Sequence, residues 1–176
     1  GWSLLGRAEY YVGRKDEALA ALQKAEALGD KSREMYTVLG RFHAERKEWS
    51  KALDYFGRGE PSSRDLLLVG QMHVFQGNLE RADSIYNAII GRDSSTSDAR
   101  FAMNERGKLV FRRKDYPGAI AAMQRRIALD PGSGEAYYYI GLSYKEMKQY
   151  GEALVALQRA ASIDTAKADR FFWLGI

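Results

Sequence analysis

The chain has 176 residues, 45% of them hydrophobic and 28% charged, and its 27 Lys and Arg against 23 Asp and Glu leave a net charge of +4. It holds no cysteine, which removes a disulfide framework, a cysteine-based zinc site and a thiol nucleophile while leaving the redox compartment open. No apolar run approaches the roughly 18 residues a membrane span needs, which excludes direct membrane insertion, and so mild a basic excess is not the continuous stripe of a phosphate-tracking surface.

Taken in order, the chain predicts helices in pairs. The first pair covers residues 1–30, with Gly13-Arg14-Lys15 as its inner turn and Gly29 as a helix stop. A second covers 31–61, where Gly57, Gly59 and Pro61 end the second helix early and Ser62 or Ser63 can cap the next one. The third, 62–97, is compact and apolar and ends in the loop-forming run Gly91-Arg92-Asp93-Ser94-Ser95-Thr96-Ser97. A fourth pair covers 98–131 and stops at Pro131. The fifth, 132–165, is the most regular: Tyr137, Ile140, Gly141 and Tyr144 form one helical stripe, Ala153, Leu157 and Ala160 another, and Lys148 to Gly151 the turn between them. Phe171, Phe172, Trp173, Leu174 and Ile176 begin a sixth first helix within 166–176. Both ends lie inside a repeat, so a piece of a longer chain is expected.

These pairs are copies. Gly6, Gly40, Gly70, Gly107, Gly141 and Gly175 share a register with steps of 34, 30, 37, 34 and 34 residues, and the first five are followed twelve residues on by Ala18, Ala52, Ala82, Ala119 and Ala153. Packed helices lie about 8–10 Å apart, and the closest crossings need a residue with little side chain, which these columns supply. Two amphipathic helices cannot bury their faces alone, so stacked copies predict one elongated all-α domain.

The period and columns resemble the tetratricopeptide repeat family. They are carried by Trp2/Leu5/Gly6/Ala18/Leu22/Ala25, Tyr36/Leu39/Gly40/Ala52/Phe56, Leu66/Val69/Gly70/Ala82/Tyr86, Met103/Gly107/Ala119/Met123/Pro131, Tyr137/Ile140/Gly141/Ala153/Leu157/Ala160 and Phe171/Leu174/Gly175. The resemblance implies an α-α superhelix of antiparallel helix pairs whose first helices line a concave face that holds a partner peptide or helix. By column, that lining is Ser3, Arg7 and Tyr10, then Thr37, Arg41 and Ala44, then Leu67, Gln71 and Val74. It continues with Asn104, Lys108 and Phe111 and ends with Tyr138, Leu142 and Lys145. Apolar and aromatic groups alternate with basic ones there, which suits a peptide with apolar anchors and acidic neighbours. The carboxylate clamp that some family members use for a chaperone tail is not matched: its positions read Ser3, Arg7, Val38, Arg64 and Leu68, or Thr37, Arg41, Leu68, Phe101 and Glu105.

Two residues of the fourth repeat depart from the pattern. Arg106 stands in the large-apolar column of Leu39 and Ile140, and Arg126 in the small column of Ala25 and Ala160. A buried unpaired arginine is costly, so the expectation is a rotated or longer first helix, or stems lying over apolar surface with their guanidinium groups in water.

No catalytic constellation emerges, and the chain reads as a non-enzyme without cofactor or metal. His43 and His73 share the Tyr144 column, which marks them as satisfied packing residues; two histidines without a third ligand do not make a zinc site. Gly29-Asp30-Lys31-Ser32 lacks the upstream glycine and strand of a phosphate loop, and Gly132-Ser133-Gly134 follows no strand. The function expected is a protein-interaction scaffold. The alternatives are nucleic-acid binding through Lys108, Arg112, Arg113, Lys114, Arg125 and Arg126, which the mild charge disfavours, and a docking arm of a larger enzyme or secretion assembly. Self-association through the sixth, uncapped helix is a further expectation.

Overall fold

The computed structural model describes residues 1–164, which form ten α-helices and no strand. The expected sixth first helix, with Phe171, Leu174 and Gly175, lies outside the described residues. The chain divides into two compact units, Gly1–Met72 and His73–Ile176.

In the first unit, α1 (Trp2–Val12) pairs with α2 (Lys15–Ala27) and α3 (Arg33–Glu45) with α4 (Trp49–Arg58). The start of α5 (Ser63–Phe75) belongs to it as well. Leu22, Ala25, Met35, Tyr36, Val38 and Leu39 form its core. The second unit takes the end of α5, then α6 (Leu79–Arg92), α7 (Ser97–Arg112), α8 (Tyr116–Leu129), α9 (Gly134–Glu146) and α10 (Tyr150–Ile163). There α7 packs on α6, α8 and α9, and α9 on α8 and α10. Its core includes Ile120, Met123, Ala136, Ile140 and Ala156.

The glycine column is where the helices of a pair meet most closely. A Cβ on Gly40 would stand 2.8 Å from the Phe56 ring, and one on Gly141 would stand 2.5 Å from Leu157 and 3.2 Å from the Ala153 carbonyl oxygen. The residue met lies sixteen positions on in each case, as Leu22 does from Gly6 and Met123 from Gly107. The alanine column, Ala18, Ala52, Ala82, Ala119 and Ala153, is fully buried. Every inner turn passes through one residue with positive φ at a fixed place, Gly13, Lys47, Gly77, Lys114 or Lys148. The following N–H groups then close on the carbonyls of the last helical turn, as Glu48 N does on His43 O at 2.9 Å and Gln149 N on Tyr144 O at 2.9 Å.

The irregular steps have local causes. The short step follows from α4, which has only 10 residues and ends against α3: a Cβ on Gly59 would lie 2.7 Å from Thr37 Oγ1, and the Glu60 amide donates to that same oxygen at 2.8 Å. Ser62 and Asp65 then open α5 with a reciprocal capping box, Asp65 N on Ser62 Oγ at 3.2 Å and Ser62 N on Asp65 Oδ2 at 2.9 Å. The long step adds a loop that Thr96 closes by accepting the Ala99 amide at 3.1 Å, and a 16-residue α7, the longest described helix. The expected longer first helix is therefore found.

The two arginines differ. Arg106 donates through Nε to Asp83 on α6 at 2.9 Å, with both side chains part-exposed. Arg126 corrects the expectation that its guanidinium reaches water. It is buried, with Nη2 donating to Asp130 at 2.8 Å and Nε and Nη1 left without a partner.

Candidate functional site

The first helices of the first unit carry eight of the expected lining residues, of which Ser3 and Ala44 are buried. Arg41 follows the packed Gly40 and forks onto Asp65, Nε to Oδ1 at 2.6 Å and Nη2 to Oδ2 at 2.7 Å, while Nη1 donates to the Tyr11 hydroxyl at 2.8 Å. Burial alone would push the Asp65 carboxyl up; the bonds from Arg41 and Ser62 outweigh it and hold the carboxyl below the usual carboxylate range. Tyr10 donates to Glu45 at 2.8 Å and lies edge-on to Tyr11, and burial first, then Glu45, raises its hydroxyl pKa. Lys15 also pairs with Glu45. Arg7 is half-buried and Gln71 exposed. Thr37 and Leu67 offer little surface, at 6% and 9% exposure, because the α4–α5 connection sits on Thr37 and Leu67 turns into the packing.

In the second unit, α7 and α9 lie side by side. Lys108 Nζ bridges Glu105 at 2.7 Å and Glu135 at 2.6 Å, and the Asn104 amide donates to Glu135 at 2.9 Å. Burial would lower the Lys108 ammonium, but those two carboxylates outweigh it and raise it. Phe111 packs edge-on against Tyr139 at 5.6 Å, Tyr139 against Tyr138 at 5.5 Å, and burial raises the Tyr138 hydroxyl. Val74, Leu142 and Lys145 are half-buried. Among the described residues no three His, Asp or Glu side chains are grouped to hold a metal ion, and no helix is long and apolar enough to cross a membrane.

His43 and His73 do not share one environment. His43 Nδ1 bonds Glu48 at 2.8 Å and its ring stacks on Tyr55, whereas His73 Nδ1 is buried without a partner. The expectation of a satisfied residue is thus corrected for His73.

A tetratricopeptide repeat profile matches residues 3–63 and 70–134, and a second profile of that description matches 135–163. The chain belongs to the tetratricopeptide repeat family. It is similar to neutrophil cytosol factor 2 of Bos taurus, 32% identical over 108 residues, which are 60% of this chain and 20% of that protein. The chain therefore spans about a fifth of that relative's length. The fold is that of MamA, with a TM-score of 0.76 at 20% identity over 93% of this chain and 96% of that one. It is also that of YrrB, described as a TPR protein with an unusual peptide-binding site, with a TM-score of 0.79 at 20% identity over 93% and 85% of the two chains.

What this tetratricopeptide array presents differs from its sequence pattern in charge. Arg41 and Lys108 read as free guiding cations, yet each is already paired by a carboxylate in the first turn of the next first helix, Asp65 or Glu135. The acids could have been found by asking which first turns place Asp or Glu beside those columns; they sit at 24 and 27 residues from their cations, so no fixed period announces them. In the second unit Phe111, Tyr138 and Leu142 stay half-buried beside the polar frame that these pairs form.

Proposed function

We propose that this chain is a non-catalytic protein-interaction scaffold that captures a peptide or helix of a partner along its first helices. The observation that carries this is the α7–α9 surface, where Phe111, Tyr138 and Leu142 stand half-buried beside a frame in which Lys108 and Asn104 are tied to Glu135. Part-exposed aromatic groups on a rigid support supply anchoring contacts at little entropic cost. In the first unit Arg7, Tyr10, Arg41 and Gln71 form the corresponding surface, with Thr37 and Leu67 beneath it. Apolar anchors of the partner dominate in this reading; its acidic side chains add affinity only by competing with Asp65 and Glu135 for Arg41 and Lys108. Tetratricopeptide repeats generally serve as non-catalytic scaffolds, and YrrB is described as having a peptide-binding site, both of which support the reading.

The test is capture of partners by the immobilised chain and by a Tyr138→Ala, Leu142→Ala double variant of unchanged helicity. The variant is expected to lose at least tenfold in capture of the proteins retained by the original chain. Undiminished capture would remove the first helices as the binding surface. Tight binding to oligonucleotides that weakens steeply between two salt concentrations would favour nucleic acid instead.

A further inference from the structure

On the second-helix side of the second unit, an open groove of about 890 Å3 runs between α8 and α10. Tyr137, Ile140 and Tyr144 floor it, Ile127 and Ala156 wall it, and Arg159 stands on its rim. The same register in the first unit is filled from within. Counted from the column glycines, Tyr36, Leu39 and His43 match the three floor residues, and Tyr55 stands where the groove has Ala156. The Tyr55 ring stacks on His43 with centroids 5.2 Å apart and on Tyr36 at 6.2 Å, and its hydroxyl donates to Glu26 at 3.1 Å. Arg58 covers Tyr36 at 3.9 Å and pairs with Glu26 at 2.7 Å and Asp54 at 3.4 Å.

The second unit keeps the frame of this arrangement and lacks its contents. Arg159 holds the place of Arg58, 5.9 Å from the Tyr137 ring, but Ile127 and Val155 stand where Glu26 and Asp54 stand. Without a ring at position 156, Tyr137 and Tyr144 are half-buried where Tyr36 and His43 are buried. What is missing is the aromatic ring and both carboxylates that pair with Arg58, and a ring beside a carboxylate therefore defines an occupant.

We propose that this groove takes a phenylalanine side chain of a partner protein, with an adjacent aspartate or glutamate of the same segment paired to Arg159. Ring faces offered by Tyr137 and Tyr144 favour an aromatic group over an aliphatic one. Phenylalanine fits better than tyrosine, because Ile127 replaces the Glu26 acceptor and a buried hydroxyl would lose its partner. Arg159 and Glu152, the one acid among the described lining residues, are two turns apart on α10, about 10 Å along its axis, so the acidic residue of the partner sits at the Arg159 end. This surface is separate from the first-helix lining and does not depend on it.

The test uses ten-residue peptides with a single Phe-Glu core in a Gly/Ser background, titrated into the isotope-labelled chain and followed by amide shifts. Saturable shifts are expected at Ile140, Ala156 and Arg159, with at least tenfold weaker binding for Ala-Glu and Phe-Lys cores and weaker binding for Tyr-Glu. Ala156→Tyr restores the internal ring and should abolish binding while the melting temperature holds or rises. Arg159→Glu should reverse the preference toward Phe-Lys. The proposal fails if no shift saturates, if shifts map instead to the first-helix lining at Asn104, Lys108 and Phe111, or if a folded Ala156→Tyr chain binds undiminished. It also fails in favour of a second copy of this chain if sedimentation shows a dimer that Ala156→Tyr abolishes and the peptides give no response.

Discussion

Arg41 and Lys108 stand at the same register, one residue past a packed glycine, and meet their carboxylates in different ways. The Arg41 fork takes both Asp65 oxygens and its remaining Nη takes Tyr11, while Ser62 fills the capacity left on Asp65 and caps α5. Lys108 is a point charge shared by Glu105 and Glu135, and Asn104, which joins it on Glu135, keeps its Oδ1 buried without a donor. The contrast extends through the units. Among the described residues, the buried side-chain atoms without a partner all lie in the second: His73 Nδ1, Tyr86 OH, Asn104 Oδ1 and Arg126 Nε and Nη1. At these two positions the planar fork closes its network because its donors match the carboxylate and are fixed relative to one another, whereas the ammonium accepts an incomplete arrangement.

Removing one acid from each network should separate them most clearly. Asp65→Ala strands a largely buried Arg41 and removes the side-chain half of the α5 capping box, and should cost about 2–3 kcal/mol, below the full penalty for a broken buried pair because Arg41 retains partial solvent access. Glu135→Ala leaves Lys108 on Glu105 and should cost about 1 kcal/mol or less. Urea denaturation measures both, and equal losses would break the comparison. The Asp65 contribution also has a pH signature. Its folded pKa lies below the unfolded value of about 3.9, so the stability is fully present above that value and is lost as pH falls through the folded pKa.

The glycine seam, common to both units, sharpens the contrast at a smaller scale. A Cβ at Gly40 meets the Phe56 ring, which is itself packed and has nowhere to withdraw, so Gly40→Ala should destabilise by about 1–2 kcal/mol. At Gly107 the nearest atom is the terminal methyl of Met123, at 2.5 Å, and a thioether chain can swing away. The helix gains roughly 0.5–1 kcal/mol from losing glycine, so Gly107→Ala should be close to neutral. A matching loss at both positions would show that backbone spacing, not the facing side chain, sets the cost.

How far these features can be read from the sequence follows the same division. The glycine and alanine columns are legible because close approach imposes them at every repeat, and they carry the helix pairs, the family and the inner turns. Thr37 and Leu67 are expected as lining positions and not as buried ones; the burial of Thr37 depends on the early end of α4 and on the path of Gly59 and Glu60 over α3. The pairing of Arg41 and Lys108 was hidden because Asp65 and Glu135 lie at different offsets, one fixed by a short connection and the other by a regular one. Nor does the residue type show the burial of Arg126, whose column holds Ala25, Gly59, Ile89 and Ala160 elsewhere.

That arginine tests the open side of the comparison. With two buried donors unpartnered, its desolvation exceeds what the single Asp130 bond returns, so Arg126→Met should stabilise the second unit by about 1 kcal/mol and raise the melting temperature. A loss of stability would mean that the two donors are satisfied in solution and that the network is closed after all.

The smallest effect separates the two histidines. His43 is tied to Glu48, so replacing it breaks a bond; His73 has no bond to break, and its burial first, then the charge of Arg81, lowers its pKa. A histidine whose folded pKa lies below its unfolded value of about 6.5 contributes stability that is complete above that value. As pH falls below it, the unfolded chain takes up the proton first and stability declines until the folded form is protonated as well. Urea midpoints should therefore fall from pH 7.5 to pH 5.5, a range in which exposed carboxylates stay ionised, and His73→Leu should flatten that decline. An undiminished slope in the variant would place the titrating group elsewhere and give His73 a partner that the static arrangement does not show.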